Sequence, residues 1–298
     1  MNKIPVGDTI AEAYSFTFGS LGVIIGLIWL PMVLIAVGGF TANLIYTRVM
    51  DAAVAEGRIG AQGQAAIAMF AWSMFAMLLY SIVIVAVTRQ ALGLRKGPAL
   101  FHFALGTLEF RSFVALLGFA IVMCVFAFGI LLVFVSLFYA GSQAGGVGLG
   151  LVAAYLALIA GIGFLIYIGA RLGFLLFATV VAEEKGGLQR AWTLSQGNFW
   201  RIFLIGLATI GPLLFINDII YYQIVGAQIF ENIMKLATSP ALQDTINRQN
   251  SQLIAERMPY IMGLSLLLAP FSAGLSLGGP AFAYRALTAP PKTEMPVA

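Results

Sequence analysis

The side chains able to do chemistry are few and widely separated. His102 is the single histidine and Cys124 the single cysteine, so neither can complete a tetrahedral metal site. Cys124 lies inside the apolar run 122–128, where a thiol packs as a small hydrophobe. No glycine-rich loop ends in Lys-Ser/Thr, and no G-x-S-x-G precedes a plausible triad, which leaves phosphate-loop and hydrolase chemistry without residues. No catalytic residue, metal ligand or cofactor site is expected. His102 falls on the apolar side of a predicted interfacial helix, and snorkelling to the headgroups is its expected role.

Three arginines form a more suggestive set. Arg89, Arg171 and Arg285 each directly follow a long apolar run. Such residues anchor span ends at the membrane edge, or they form a ring of cations that holds anionic lipid headgroups. Arg190, Trp192 and Trp200 join this candidate headgroup site, because indole rings settle at headgroup depth. Asn217 and Asp218 are the second candidate, an ion or proton site. Asp218 lies about 25 Å along a helix from Arg201 at 1.5 Å per residue, which places it near the outer interface rather than the midplane.

What must position these residues is a membrane. Of the 298 residues 61% are apolar and only 9% charged, too few charges to cover a soluble domain, where about a quarter of residues are charged. Disorder and collagen-like folding fail on the same composition. The net charge of +4 comes from 16 basic and 12 acidic residues spread over loops without a dense cluster, so nucleic acid is not an expected partner. The first twenty residues carry Asp8 and Glu12 beside Lys3, and the apolar run after them is longer than a signal-peptide core, so it reads as a retained span.

A bilayer core of about 30 Å takes about 20 helical residues. Six stretches suffice: 20–46, 65–92, 112–139, 148–182, 202–225 and 259–287. The expected fold is all-α, a polytopic membrane protein of six transmembrane helices with short interfacial helices, in one domain over 1–288 with a flexible tail, 289–298. The fourth stretch is too long for one perpendicular crossing, and it is expected to leave the bilayer near Arg171 and continue as an interfacial helix over 172–182. Six spans put both ends on one face. That face carries Lys3, Arg89, Arg95, Lys96, Arg111, Arg171, Lys185, Arg190, Arg201, Arg285 and Lys292, against Arg48, Arg58, Lys235, Arg248 and Arg257 on the other. By the positive-inside rule both termini are expected in the cytoplasm.

Short helices are expected before the span pairs. In 188–199, Leu188, Ala191, Trp192, Leu194, Ser195 and Phe199 fall on one side and Gln189, Arg190, Thr193, Gln196 and Gly197 on the other. Near the N-terminus, Val6, Ile10, Ala13, Tyr14 and Thr17 oppose Asp8, Glu12 and Ser15. Segments 13–24 and 191–202 align without gaps at an offset of 178, and half that offset lands on 102–113. This suggests a threefold repeat of interfacial helix plus hairpin, over 5–97, 98–185 and 186–287. GxxxG spacings at Gly22–Gly26 and Gly274–Gly278 suit close helix packing. The outer connections are a loop of about 18 residues, a glycine-rich GSQAGGVG and the polar insertion 226–258. That insertion is expected to form two helices, one with Ile229, Ile233 and Leu236, the other capped by Ser239–Pro240 with Leu242, Ile246 and Leu253. It would lie on the outer leaflet, close as a lid or bind a membrane-protein partner.

Segment 171–207 carries Arg171 at the end of a span, Glu183 and Glu184, then Ala191, Trp192, Leu194, Gly197 and Trp200. At this spacing it resembles the YciC-like group of bacterial integral membrane proteins, similar to the membrane domain of some glycerophosphoryl diester phosphodiesterases. The chain departs from the motif's residue types at Thr193–Gln196. The resemblance implies a bacterial inner-membrane location and brings no hydrolase activity with it, because the chain has no room for the soluble phosphodiesterase module. The expected function is non-enzymatic: membrane organisation or lipid homeostasis, with lipids, anionic ones included, as partners. The alternatives are a transporter or channel component for a small or lipidic solute, and a scaffold subunit of a membrane complex.

Overall fold

The computed structural model describes residues 3–55, 59–95, 102–143, 147–184, 187–238 and 243–289. Ten α-helices run through them: α1 (Val6–Gly19), α2 (Leu21–Ala55), α3 (Ile59–Ala91), α4 (Thr107–Gln143), α5 (Val147–Ile168), α6 (Leu176–Glu183), α7 (Gly187–Leu194), α8 (Phe199–Tyr221), α9 (Ala227–Thr238) and α10 (Gln243–Thr288). Single π-helical turns, Gly169–Gly173 and Tyr222–Gly226, extend α5 and α8. Six helical stretches are long and apolar enough to cross a membrane. The chain is a multi-pass, all-helical membrane protein.

Helices in lipid gain little from excluding water, since the surrounding tails are as apolar as leucine. Their association rests on close packing through small residues and on hydrogen bonds. Both devices are used at the end carrying the chain termini, and close glycine contacts recur along the α2–α3 and α4–α5 pairs, where Gly38 admits Trp72 and Gly161 admits Ile130. Residues 81–88 of α3 are buried without interruption, and most of 269–284 on α10 is buried beside them. Helix α1 packs on α10 and α8, burying Thr9, Ala13 and Thr17, one position per turn. Gly274 of α10 admits Thr17 so closely that a Cβ there would sit 2.7 Å from the threonine, and Gly278 admits Phe16. The Gly274–Gly278 pair is thus a used contact, whereas Gly22 faces open space. The Phe16 and Phe282 rings meet edge-on at 5.8 Å. Tyr14 donates to the Ala208 carbonyl of α8 at 2.8 Å, Arg285 of α10 pairs with Glu12 at 2.7 Å, and Arg201 donates to the Ile4 carbonyl at 2.6 Å.

The amphipathic reading of α1 holds residue by residue, with Asp8, Glu12 and Ser15 exposed. What the helix buries its face against is α10 and α8, however, not lipid headgroups. A larger correction concerns 172–182. The helix carries a π turn at Arg171 and is interrupted at 174–175, after which α6 lies inside the protein and buries Leu176, Ala178, Thr179, Val180 and Val181. An apolar octet can satisfy either environment, and contacts with α3, α4, α7 and α10 decide it. Glu184 ends α6 in a left-handed conformation, φ 53°, its N–H bonded to the Val180 carbonyl.

Segment 188–199 is helical only to Leu194. Gly197 then turns at φ +72°, a conformation in which a Cβ is strained, and Phe199 opens α8. Helix α7 buries Gly187, Ala191 and Leu194 and exposes Gln189, Arg190 and Thr193. The offset of 178 reappears here in three dimensions. Helices α2 and α8 begin at Leu21 and Phe199, and the bonds Ile24 N–H to Ser20 O and Ile202 N–H to Asn198 O are each 2.9 Å. The pairs Thr9/Gly187, Ala13/Ala191, Thr17/Ser195 and Ile24/Ile202 are buried at both places. The middle copy departs: residues 102–106 are not helical, and 107–143 form one continuous helix. His102 therefore sits on no interfacial helix.

The opposite end is built differently. Helix α4 has no buried residue in its most apolar stretch, and α5 packs chiefly against α4. Val125, Phe128, Leu131, Tyr155 and Ile159 all point outward. The hairpin closes where Gly141 and Gly150 touch backbone to backbone; a Cβ on Gly141 would lie 2.1 Å from the Gly150 Cα. The first outer connection is mostly helix, because α2 runs to Ala55 and α3 starts at Ile59. The expected second outer helix and sixth span are one 46-residue helix, α10, about 69 Å long at 1.5 Å per residue. The cap Ser239–Pro240, Leu242 and most of the tail lie outside the described residues.

Candidate functional site

Arg171 is the best-connected of the expected headgroup ligands, and its connections are to protein. It projects from the π turn and donates from Nε to the Ser195 hydroxyl at 3.3 Å, from Nη1 to the Tyr167 hydroxyl at 2.8 Å and from Nη2 to the Trp192 carbonyl at 3.2 Å. Its guanidinium stacks 3.7 Å over the Trp192 ring. An Arg on an aromatic face with three acceptors around it is a fastener; here it ties the end of α5 to the end of α7. Tyr167, Trp192, Phe199, Trp200 and Phe203 form a connected ring cluster around it. Trp200 is 71% exposed, placed to meet the membrane edge.

The other two span-ending arginines differ from it. Arg285 is held by Glu12 and lies 5.0 Å over the Phe282 ring. Arg89 is exposed and stands near Arg95 and His102. Burial, Arg95 and Arg89 hold His102 below its ordinary pKa, with Glu109 opposing them; burial and Arg89 also lower Arg95. The three arginines thus sit in three separate surroundings: Arg171 is enclosed, Arg285 is exposed but paired with Glu12, and Arg89 is exposed. Arg190 bonds Glu183 at 2.9 Å. Glu183 also accepts from the Tyr284 hydroxyl at 3.0 Å, so it joins α6, α7 and α10. Arg111 donates to the Glu184 carbonyl and ties α4 to the same corner.

Asn217 and Asp218 are exposed near the far end of α8. Asn217 borders a small void of about 290 Å³ with Tyr80, Ser265 and Ser272, between α2, α3, α8 and α10; Asp218 is not part of its wall. Beyond them, Asn232 of α9 is buried and bonds Asn250 of α10 at 2.6 Å, while Phe230, Ile233 and Met234 are exposed. Helix α9 therefore turns its polar side to α10 and its apolar side outward, an orientation suited to lipid or to a membrane partner. Among the described residues no three His, Cys, Asp or Glu side chains come together as a metal site would require.

The feature that the sequence did not disclose is a cavity of about 590 Å³ between the α4–α5 hairpin and the body of the protein. Its walls come from Tyr80 and Thr88 of α3, Phe119 and Met123 of α4, Leu165 and Ile166 of α5, the π turn, Phe174 and Phe177, the face of α8 from Ile202 to Leu214, and Ser276 to Pro280 of α10. Glycines 169, 173, 206 and 211 line it. Among the described residues no Asp, Glu, Lys, Arg or His reaches it, and the Thr88 hydroxyl, on a residue 1% exposed, has no hydrogen-bond partner. The cavity abuts the smaller void, sharing Tyr80, Ile210 and Leu214 with it. Glycine spacing on either side of Arg171 was the available signal, but which face those glycines present depends on how the hairpin leans.

An all-helical, multi-pass membrane protein with an apolar cavity between its spans is the class these features define. Compared with known protein families, curated proteins and solved structures, the chain matches none.

Proposed function

We propose that the chain is a non-enzymatic protein of the bacterial inner membrane that acts on the lipid composition or organisation of that membrane, with both termini in the cytoplasm. The observation that carries this reading is the charge-free cavity between membrane-spanning helices, beside an aromatic cluster at the membrane edge. A site whose polar groups are the hydroxyls of Tyr80, Thr88 and Ser276, with no charged side chain among its described walls, suits an apolar molecule. The bias of basic residues toward the terminal face supports the orientation. The resemblance of 171–207 to the YciC-like group supports the bacterial location. The headgroup contact then narrows to Arg89 and the exposed Trp200, with Arg171 and Arg285 as fasteners.

Deleting the gene and measuring membrane lipid composition by mass spectrometry tests the reading. A changed distribution of headgroups or chain lengths is expected, restored by the wild-type gene; an unaltered distribution across growth conditions overturns it. A second reading, movement of a lipidic solute, is favoured by one observation: the two adjoining voids follow α8 from Ile202 to Asn217. A scaffold role would use the outward apolar side of α9.

A further inference from the structure

We infer that the cavity holds one hydrocarbon chain of a bilayer lipid, admitted sideways between α5 and α8, with its ester end at Thr88. The inference rests on the lipid-directed reading above and names the ligand of that site. Its occupant is decided by three properties of the walls. Ile166 on α5 and Leu207 and Leu214 on α8 line the cavity and are also exposed on the outer surface, so the opening faces the bilayer, where hydrocarbon is the solvent. The walls carry no cation, so a phosphate drawn inside would stay unpaired at high cost. Water is a poor tenant too, since a stable buried water needs two to four polar partners. A neutral chain meets all three conditions, and the volume of about 590 Å³ lies within the roughly 300–1,000 Å³ of ordinary ligand cavities.

Thr88 gives the chain its direction. Its hydroxyl has no hydrogen-bond partner among the described residues and is covered as it stands, so a turn of its side chain is what presents it to the cavity; it sits one residue before Arg89, at the membrane edge of α3, where the ester carbonyls of a glycerolipid lie. Tyr80 is about 12 Å deeper along the same helix at 1.5 Å per residue. A chain anchored by its carbonyl at Thr88 would therefore run inward past Phe119 and Gly206. Gly206 also supplies the means of closing the site. A Cβ there would meet Phe174 at 3.8 Å, an ordinary contact, so a larger side chain extends into the cavity rather than into backbone.

The test uses the full-length protein in vesicles of phosphatidylethanolamine and phosphatidylglycerol, doped with phosphatidylcholine that carries a mid-chain diazirine. After irradiation, adducts are located by peptide mass spectrometry. Adducts at Phe119, Met123, Gly206 and Ile210 are expected, and Gly206→Leu reduces them to background while adducts at the outward-facing Val125 and Phe128 persist. Thr88→Val removes one hydrogen bond of about 1 kcal/mol, about a fivefold loss of cavity adducts; it also serves as the second variant should Gly206→Leu fail to fold. Adducts confined to outward-facing residues, or cavity adducts that survive both substitutions, overturn the inference. An unlabelled cavity beside an altered lipid composition in the deletion strain would remove this inference alone. Labelled cavity residues with unaltered composition would keep it and remove the broader reading.

Discussion

The two ends of this bundle obey different rules. At the terminal end, Gly274 and Gly278 admit side chains of α1, the Tyr14 hydroxyl reaches a carbonyl on α8 and arginines are clasped by acids or rings. The α4–α5 pair is joined on one side through Gly141, Gly150 and Gly161, while its apolar residues Val125, Phe128, Leu131 and Tyr155 face outward, with no helix among the described residues to receive them. Hydrophobicity does not separate the two, since α4 has the highest hydropathy of the six spans and no buried residue in that stretch. The difference teaches that in lipid a helix is held by its small and polar exceptions rather than by its apolar majority.

The largest expected effect tests that rule directly. Gly274→Val places branched atoms into Thr17, where even a Cβ lies at 2.7 Å, and overpacking of this kind costs about 1–3 kcal/mol. Gly129→Val on α4 meets nothing within 4 Å, and its effect should stay within about 0.5 kcal/mol. Thermal unfolding in one detergent compares them; equal losses would erase the contrast. Next, Arg171→Gln should lower stability by about 2 kcal/mol, through lost charge-assisted bonds and the stacking on Trp192. Tryptophan emission reports the release of Trp192 in the same sample, and an unchanged spectrum would show that the clasp is not formed.

Smaller still, Tyr14→Phe deletes one hydrogen bond to Ala208, about 1 kcal/mol, read from the same melting curves. The smallest effect is at His102. Its pKa in the fold lies below the ordinary value, so the unfolded chain takes up the proton first as the pH falls. Stability is complete above the ordinary histidine pKa of about 6.5 and declines below it. His102→Gln should flatten the melting temperature between about pH 7 and pH 5.5 by about a degree.

The six apolar helices were legible in the sequence because spanning length and composition are local properties. So was the exposed and buried side of α1, which follows from a period of 3.6 residues. The register linking α2 to α8 was legible as well, because a repeated break between two helices repeats in the residues that make it. The roles of the arginines were not. Arg89, Arg171 and Arg285 look alike as span endings, and only tertiary neighbours 21 to 273 residues away separate the clasped from the free. The burial of α6 and the cavity depend on where the α4–α5 hairpin comes to rest. Thr88 and Gly206 carry no local mark of the space they share.

The clasp around the first residues has a consequence in time. Ile4 donates to the Asn198 side chain and Tyr14 to Ala208, contacts 194 residues apart in each case, and Glu12 waits for Arg285, 273 residues later. A ribosome adds about 5–20 residues per second, so α1 waits roughly 10–40 s for its contacts on α8 and roughly 14–55 s for Arg285. During that interval its apolar face has the nascent spans, the lipid surface or a chaperone for company. The last helix to emerge, α10, is the one that completes its berth, so the earliest segment of the chain is among the last to be secured.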